Sequence, residues 1–239
     1  MALGFALSGC KPGARIDLHY LPDFVAGSQN VFRPVKIAVP PTTGSLDSGD
    51  YQVGAIYVAD GTVQTPLVVT DAPRTFNNAL LKGLADAGLV PVALNSKPDD
   101  GKPPEGSDFI LTSDLEQIQV NKRFGAMQTI HGQYFTMRAV MRVKFELSNR
   151  DGAALYSGEI TGLENEPPNP VGAEVFLPLE TEPAESLSVA LSRTVGLLIL
   201  QPKFRDALPR GAAEATPASP PAGTAARPTE TPPSQSPQH

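Results

Sequence analysis

Cysteine is nearly missing from this chain: one residue, Cys10, among 239. No internal disulfide can form, and no Cys-x-x-Cys or Cys/His spacing offers zinc a ligand set. Histidine is equally scarce, at three residues, and none has a nucleophile or acid at useful spacing. His131, within Thr129-Ile-His-Gly-Gln133, is the one candidate general base, and a turn-region histidine is ordinarily solvated or structural. The Gly-x-Ser-x-Gly elbow, the phosphate-binding Gly-rich loop and His-Glu-x-x-His are absent. No enzyme activity, metal or cofactor is expected, apart from a covalent lipid argued below. Charged residues make up only 18%, and the formal charge is −6, so the chain as a whole has no field that attracts phosphate backbones. Nucleic acid is excluded as an expected partner. Long hydrophobic runs are missing too, with none of the roughly 18 consecutive apolar residues of a membrane-crossing helix.

Glycine (21) and proline (25) are abundant, which predicts long irregular segments. The lone cysteine closes Met1-Ala-Leu-Gly-Phe-Ala-Leu-Ser-Gly-Cys10, where apolar residues lead into the lipobox Leu7, Ser8, Gly9, Cys10. Small residues before the cysteine let an extended segment enter a peptidase, after which the thiol carries diacylglyceryl and the freed amine a further palmitate-type chain. At about 0.8 kcal/mol per buried methylene, two or three chains hold far more firmly than one. A complete leader has a basic start and an apolar stretch of roughly 7–15 residues. Here no Lys or Arg precedes Cys10, so part of the targeting segment is expected upstream. Residues 1–10 are read as this truncated signal peptide. Residues 11–33, rich in Pro and Gly, are read as a tether or edge segment holding the domain off the bilayer. A domain is expected over 34–205. The remainder, 206–239, is expected to be a disordered tail, because Gly211–His239 has no Val, Leu, Ile or aromatic residue to offset ordering entropy.

Within the domain, Val35–Val39 reads as a short strand stopped by Pro40-Pro41, and Ala59-Asp-Gly61 turns a hairpin between Gln52–Val58 and Val63–Val69. Thr70 or Asp71 can cap a helix with Pro73 in its first turn. Phe76, Ala79, Leu80, Gly83, Leu84 and Ala87 then share one face before Gly88. Leu89–Leu94 suits a buried strand. A strand over Phe109–Val120 shifts parity between Leu115 and Ile118, which predicts a bulge or an edge. From Phe135 to Leu147 every odd position is apolar, while Arg138, Arg142, Lys144 and Glu146 lie between. Asn149-Arg-Asp-Gly152 turns back into Ala154–Thr161, followed by a Pro-rich loop. Thr181-Glu-Pro-Ala-Glu185 opens a second helix, whose apolar face runs from Leu187 to Leu198 and which stops at Pro202. The expected fold is α+β: an antiparallel sheet with a long central hairpin, packed on one face by two amphipathic helices.

For contact surfaces, Lys122-Arg123 beside Phe124 could touch a lipid head group or an acidic partner, although two charges at roughly 1 kcal/mol each orient more than they bind. Phe124, Met127 and Phe135, with Met137 and Met141, form a methionine–aromatic group suited to apolar ligands or partner surfaces. The parity that Met137 and Met141 share with Val143 equally fits a core. Asp99-Asp100 and Glu164 with Glu166 read as solvated loop acids. In their order, the lipobox, the strand ending at Pro40-Pro41, the helix Phe76-Asn-Asn-Ala-Leu-Leu-Lys-Gly-Leu-Ala-Asp-Ala-Gly88, the paired strands and the final helix resemble the YajG-like lipoproteins. The similarity covers roughly residues 35–200. More distantly the chain is similar to the PqiC-like auxiliary lipoproteins of ABC-type lipid transporters. The resemblance implies a bacterial outer-membrane lipoprotein on the periplasmic face, and Lys11 after the cysteine is similar to the sorting preference of such proteins. Three functions follow as expectations: a non-enzymatic domain that binds an envelope protein partner, a carrier of lipid with an apolar groove between sheet and helices, and a hydrolase that would need a cleft joining His131 to acids.

Overall fold

The strongest alternation in the sequence becomes the spine of the molecule. The computed structural model describes residues 13–25, 31–44, 49–129, 132–170 and 181–209. Its strands are β1 (Ala14–Arg15), β2 (Lys36–Val39), β3 (Thr43–Gly44), β4 (Asp50–Tyr57), β5 (Val63–Thr70), β6 (Val90–Ala93), β7 (Phe109–Thr129), β8 (Gly132–Asn149) and β9 (Ala154–Pro170). The helices are α1 (Ala72–Asp86), α2 (Thr181–Leu200) and α3 (Pro202–Asp206). Strands β7, β8 and β9, of 21, 18 and 17 residues, pair antiparallel along their lengths. At about 3.3 Å per residue they form an arm on the order of 55–70 Å long.

The fold is α+β as expected, but the sheet is mixed where an antiparallel one was expected. Along the other edge of β7 lie, in succession, β2 at Phe109–Ile110, β3 at Asp114–Leu115 and β4 at Val120–Arg123, all parallel to it. β6 adds to β2, and β1 adds to β5, again in parallel. The reason this escaped is physical: apolar alternation reports which face is buried and is blind to strand direction. Leu89–Leu94, read as a buried strand, supplies the edge strand β6, with Val90 41% exposed.

Local signals explain the turns. In the β8–β9 hairpin, Asn149 Oδ1 accepts from the amides of Asp151 and Ala153 at 3.0 and 2.9 Å. Asp60 Oδ1 accepts from the Thr62 amide at 2.8 Å in the β4–β5 turn. The parity shift of β7 is a bulge between Leu115 and Gln117. Asp71 caps α1, its side chain accepting from the Arg74 amide while its own φ is +48°. The Pro-rich stretch expected as a loop after Thr161 continues β9 to Pro170. Proline is tolerated there because β9 is an edge strand, pairing with β8 alone among the described residues.

Both helices pack on the inward face of the sheet. Phe76 of α1 meets Phe145 of β8 with ring centroids 6.1 Å apart, and burying Phe76, Leu80 and Leu84 contributes about 1.5–3 kcal/mol each. Over Glu182–Leu200, α2 has the length and hydropathy of a membrane-spanning helix, yet 72% of that stretch is buried inside the fold. Its Leu187, Leu191, Val195 and Leu198 are fully buried against the sheet. Thr194 Oγ1 donates to the Ala190 carbonyl at 2.8 Å, which satisfies a polar group in the apolar interface.

Of the two readings of residues 11–33, tether or edge segment, the described part corrects the first and fits the second. Arg15 sits in β1 and chelates Asp50, Ile16 and Leu18 are buried, and the amides of His19 and Leu21 donate to Ser188 and Ser192 of α2 at 3.0 and 2.8 Å. Residues 13–21 are thus a docked strap that closes one edge of the sheet. Pro202 stops α2 and starts α3. The fold then runs on to Leu208, 3% exposed, and Pro209, whose carbonyl accepts from the Arg33 amide.

Candidate functional site

The arm has one face committed to the core, so its outward face is the large surface left over. Alternation projects Gln117, Gln119, Asn121 and Arg123 outward from β7 and Thr136, Arg138, Val140 and Arg142 from β8, with Thr161, Leu163 and Asn165 from β9. Register then sets the neighbours: Arg138 lies between Asn121 and Asn165, Arg142 between Gln117 and Thr161, and Val140 beside Leu163. Together these side chains enclose a trough of about 830 Å³.

Its chemistry is one-sided. Among the described residues three guanidiniums line the trough and no Asp or Glu does, in a chain whose net charge is −6. Arg142 holds Glu159 at 3.2 Å in an exposed pair, worth at most about 1 kcal/mol and readily exchanged. Arg123 lies 5.0 Å from the ring centroid of Tyr57, a cation–π contact that does not consume its hydrogen-bond donors. Arg138 has no ion-pair partner among the described residues. Around them, amides can both donate and accept: Gln117 Nε2 donates to Gln119 Oε1 at 3.3 Å. Such groups bind and orient; they do not shuttle protons at neutral pH.

At the distal end of the arm the inward face carries Lys122. It is 6% exposed and ion-paired with Glu182 in the first turn of α2. Its ammonium sits 4.2 Å from the Phe135 ring centroid and 5.4 Å from that of Phe124. The apolar surface expected from Phe124, Met127 and Phe135 is corrected accordingly: Phe135 is 3% exposed and its ring abuts the half-buried Phe124. The side chain of Met127 lies outside the described residues. Met137 and Met141 are core. Of the pair Lys122-Arg123, strand parity buries the first and leaves only Arg123 at the surface.

The remaining expectations fall as follows. Glu164, read as a loop acid, is in β9 and paired with Arg193 of α2, which also donates to the Leu163 carbonyl at 2.6 Å. The lipobox residues Leu7, Ser8, Gly9 and Cys10, His131 and the tail from 210 lie outside the described residues. Between sheet and helices the side chains are fully buried around Phe76, Phe145, Leu191 and Val195, while at the edge between α1 and β3 an open groove of about 760 Å³ is lined by Pro41, Pro73, Leu81 and Leu94 together with Thr42, Asn77 and Asn78. No group of acids, Cys and His placed to hold a metal occurs among them. The trough itself was missed, because joining Arg123 to Arg138 and Arg142 requires the β7–β8 register. The available signal was the acid-free run of even positions from Thr136 to Arg142.

No protein-family profile matches the sequence, and no curated protein matches it. Among solved structures, a Xanthomonas campestris protein of the family DUF330 is similar over 82% of this chain and 96% of its own, with 12% identity and a TM-score of 0.48. A Helicobacter pylori homolog of neuraminyllactose-binding hemagglutinin is similar over 81% of this chain and 95% of its own, with 9% identity and a TM-score of 0.43. The lipoprotein GNA1162 of Neisseria meningitidis is similar over 56% of this chain and 85% of its own, with 14% identity and a TM-score of 0.30. At TM-scores below 0.5 these likenesses assign neither a family nor a function to the chain.

Proposed function

We propose that this chain is a non-catalytic lipoprotein of the bacterial envelope, anchored through Cys10, which binds an envelope partner on the outward face of the β7–β9 arm. The single observation that carries the reading is that face: a three-stranded arm with a trough built of arginines and amides, groups that hold a ligand without performing chemistry on it. Anchoring through the lipobox raises the effective concentration of such a site toward other envelope components, so weak contacts suffice. Placement on the periplasmic side of the outer membrane follows from the YajG-like resemblance and from Lys11.

The docked strap sharpens the geometry of anchoring. Gly13 is already at the sheet edge, where a Cβ would lie 2.4 Å from Val68. Only Lys11 and Pro12 separate it from Cys10, a reach of about 11 Å at full extension. An acylated Cys10 therefore holds the β1–β5 edge at the bilayer surface, in place of the long spacer expected from residues 11–33.

The test is fatty-acid labelling of the full chain expressed behind a complete lipoprotein leader, together with affinity purification from solubilised membranes. The reading expects label on the wild type, none on Cys10→Ala, and a consistent co-purifying protein with the wild type. An unlabelled wild type found in the soluble fraction would remove the anchor.

A further inference from the structure

The reading that the outward face binds a partner leaves open what the partner presents there, and the trough's charges are specific on this point. From the registers, Arg138 and Arg142 are four residues apart on β8, about 13 Å. Arg123 faces Thr136, which places it two residues beyond Arg138 and one strand across. The three guanidiniums thus follow a line of about 20 Å along the arm, at intervals of two and four residues of extended chain. Between Arg138 and Arg142 the line is interrupted by Leu163, 40% exposed, over Val140.

We infer that the trough receives an extended acidic protein segment of the partner, with carboxylates at alternate positions and an apolar side chain over Leu163. Residues i, i+2 and i+6 of a strand lie on one face, which is the spacing of the three cations. Charge complementarity is local: three guanidiniums and, among the described residues, no acid line the trough, with Glu159 at its margin on Arg142, and guanidinium binds carboxylate through two parallel hydrogen bonds. The amides of Gln117, Gln119, Asn121 and Asn165 decide between partner classes. They offer acceptors as well as donors along the whole line, which matches the regularly alternating N–H and C=O groups of an extended peptide, whereas the phosphodiester of a lipid head group only accepts and would use the donors alone. Glu159 already occupies Arg142 as a carboxylate of this chain, which shows the geometry that the partner's acid takes over.

The test rests on the binding reading and is arranged to fail separately from it. Full-length protein in uncharged detergent is titrated with a fluorescent peptide of alternating Glu and Ser with a central Leu, and separately with phosphatidylglycerol vesicles. The inference expects saturable peptide binding that weakens with salt. It also expects a loss of about tenfold or more when Arg123→Gln, Arg138→Gln and Arg142→Gln are combined, taking about 1.4 kcal/mol per tenfold change. The control Lys203→Gln, on α3, should leave binding unchanged. Arg138→Glu with Arg123→Glu should transfer preference to a Lys/Ser peptide, which a misfolded variant could not do. Equal peptide binding by the triple variant, or binding to the vesicles alone, would overturn the acidic-segment assignment. In parallel, the wild type and the triple variant are used to purify partners from membranes. A partner kept equally by both overturns the charge reading while the binding face survives, and a partner recovered by neither overturns both.

Discussion

Gly162 on β9 lies directly against the backbone of α2, and it gives the sharpest stability prediction. A Cβ placed there would lie 2.0 Å from the Ala190 carbonyl oxygen and 2.3 Å from Thr194 Oγ1, against the 3.0 Å that real Cβ atoms respect. Gly162→Ala must therefore push the helix back by at least 1.0 Å. The obstacle is helix backbone, which cannot rotate away as a side chain can. Fully buried Leu187, Leu191, Val195 and Leu198 move with it, opening voids along the whole interface. Overpacking of this kind costs about 1–3 kcal/mol, and a clash with backbone belongs at the upper end. With a urea slope of about 2 kcal/mol/M, a cost of about 3 kcal/mol lowers the unfolding midpoint by about 1.5 M. Gly61→Ala, at φ +85° in open space, is the control and should cost only the backbone strain of about 1 kcal/mol. A Gly162→Ala midpoint within about 0.25 M of wild type, or about 0.5 kcal/mol at that slope, would refute the close helix–sheet contact.

Three further outcomes are expected. Lys122→Met, which strands the partly buried Glu182, should cost about 3 kcal/mol, the low end for a broken buried pair, whereas Lys122→Met with Glu182→Leu should recover most of it; chemical denaturation of both variants checks the pair. Ser192→Ala removes the acceptor of the Leu21 amide and should lose about 1–3 kcal/mol, with hydrogen exchange accelerating in residues 16–21 ahead of the arm. Burial, and then the charge of Asp86, push the Tyr20 phenol up from 10.0 to about 12. The unfolded chain sheds this proton first, so stability present below pH 10 is lost as pH rises toward 12. Tyr20→Phe should be less sensitive to pH over that window, read by alkaline unfolding.

The sequence was informative where a single strand or helix speaks for itself. The odd-position apolar residues of β8, the bulge after Leu115, the Asn149–Gly152 hairpin and the capped α1 all have causes within a few residues, so local pattern exposes them. Partnership is a different matter. That β2, β3 and β4 line up in parallel along β7 depends on long connections, whose pairing leaves no trace in alternation. The strap was misread because its core contacts, Ile16 and Leu18, are spaced by two within a Pro- and Gly-rich frame. Its hydrogen bonds are also received by serines of α2 about 170 residues away. The same holds for the candidate site. Arg138 and Arg142 were visible as wet-face residues, but Arg123 joins them only through the register of β7 on β8, and Lys122 is removed from the surface by that same register.

Photo-cross-linking in living cells tests the central claim, that the outward face of the arm is the binding face of an anchored protein. With the photoreactive residue at Thr136, beside Arg123 and Arg138, a discrete adduct with one envelope protein should form in the Cys10-bearing chain. It should weaken in the Arg123→Gln, Arg138→Gln, Arg142→Gln variant and be missing from Gly101, in the exposed loop before β7. The same adducts from both positions, or none from Thr136, would contradict the account.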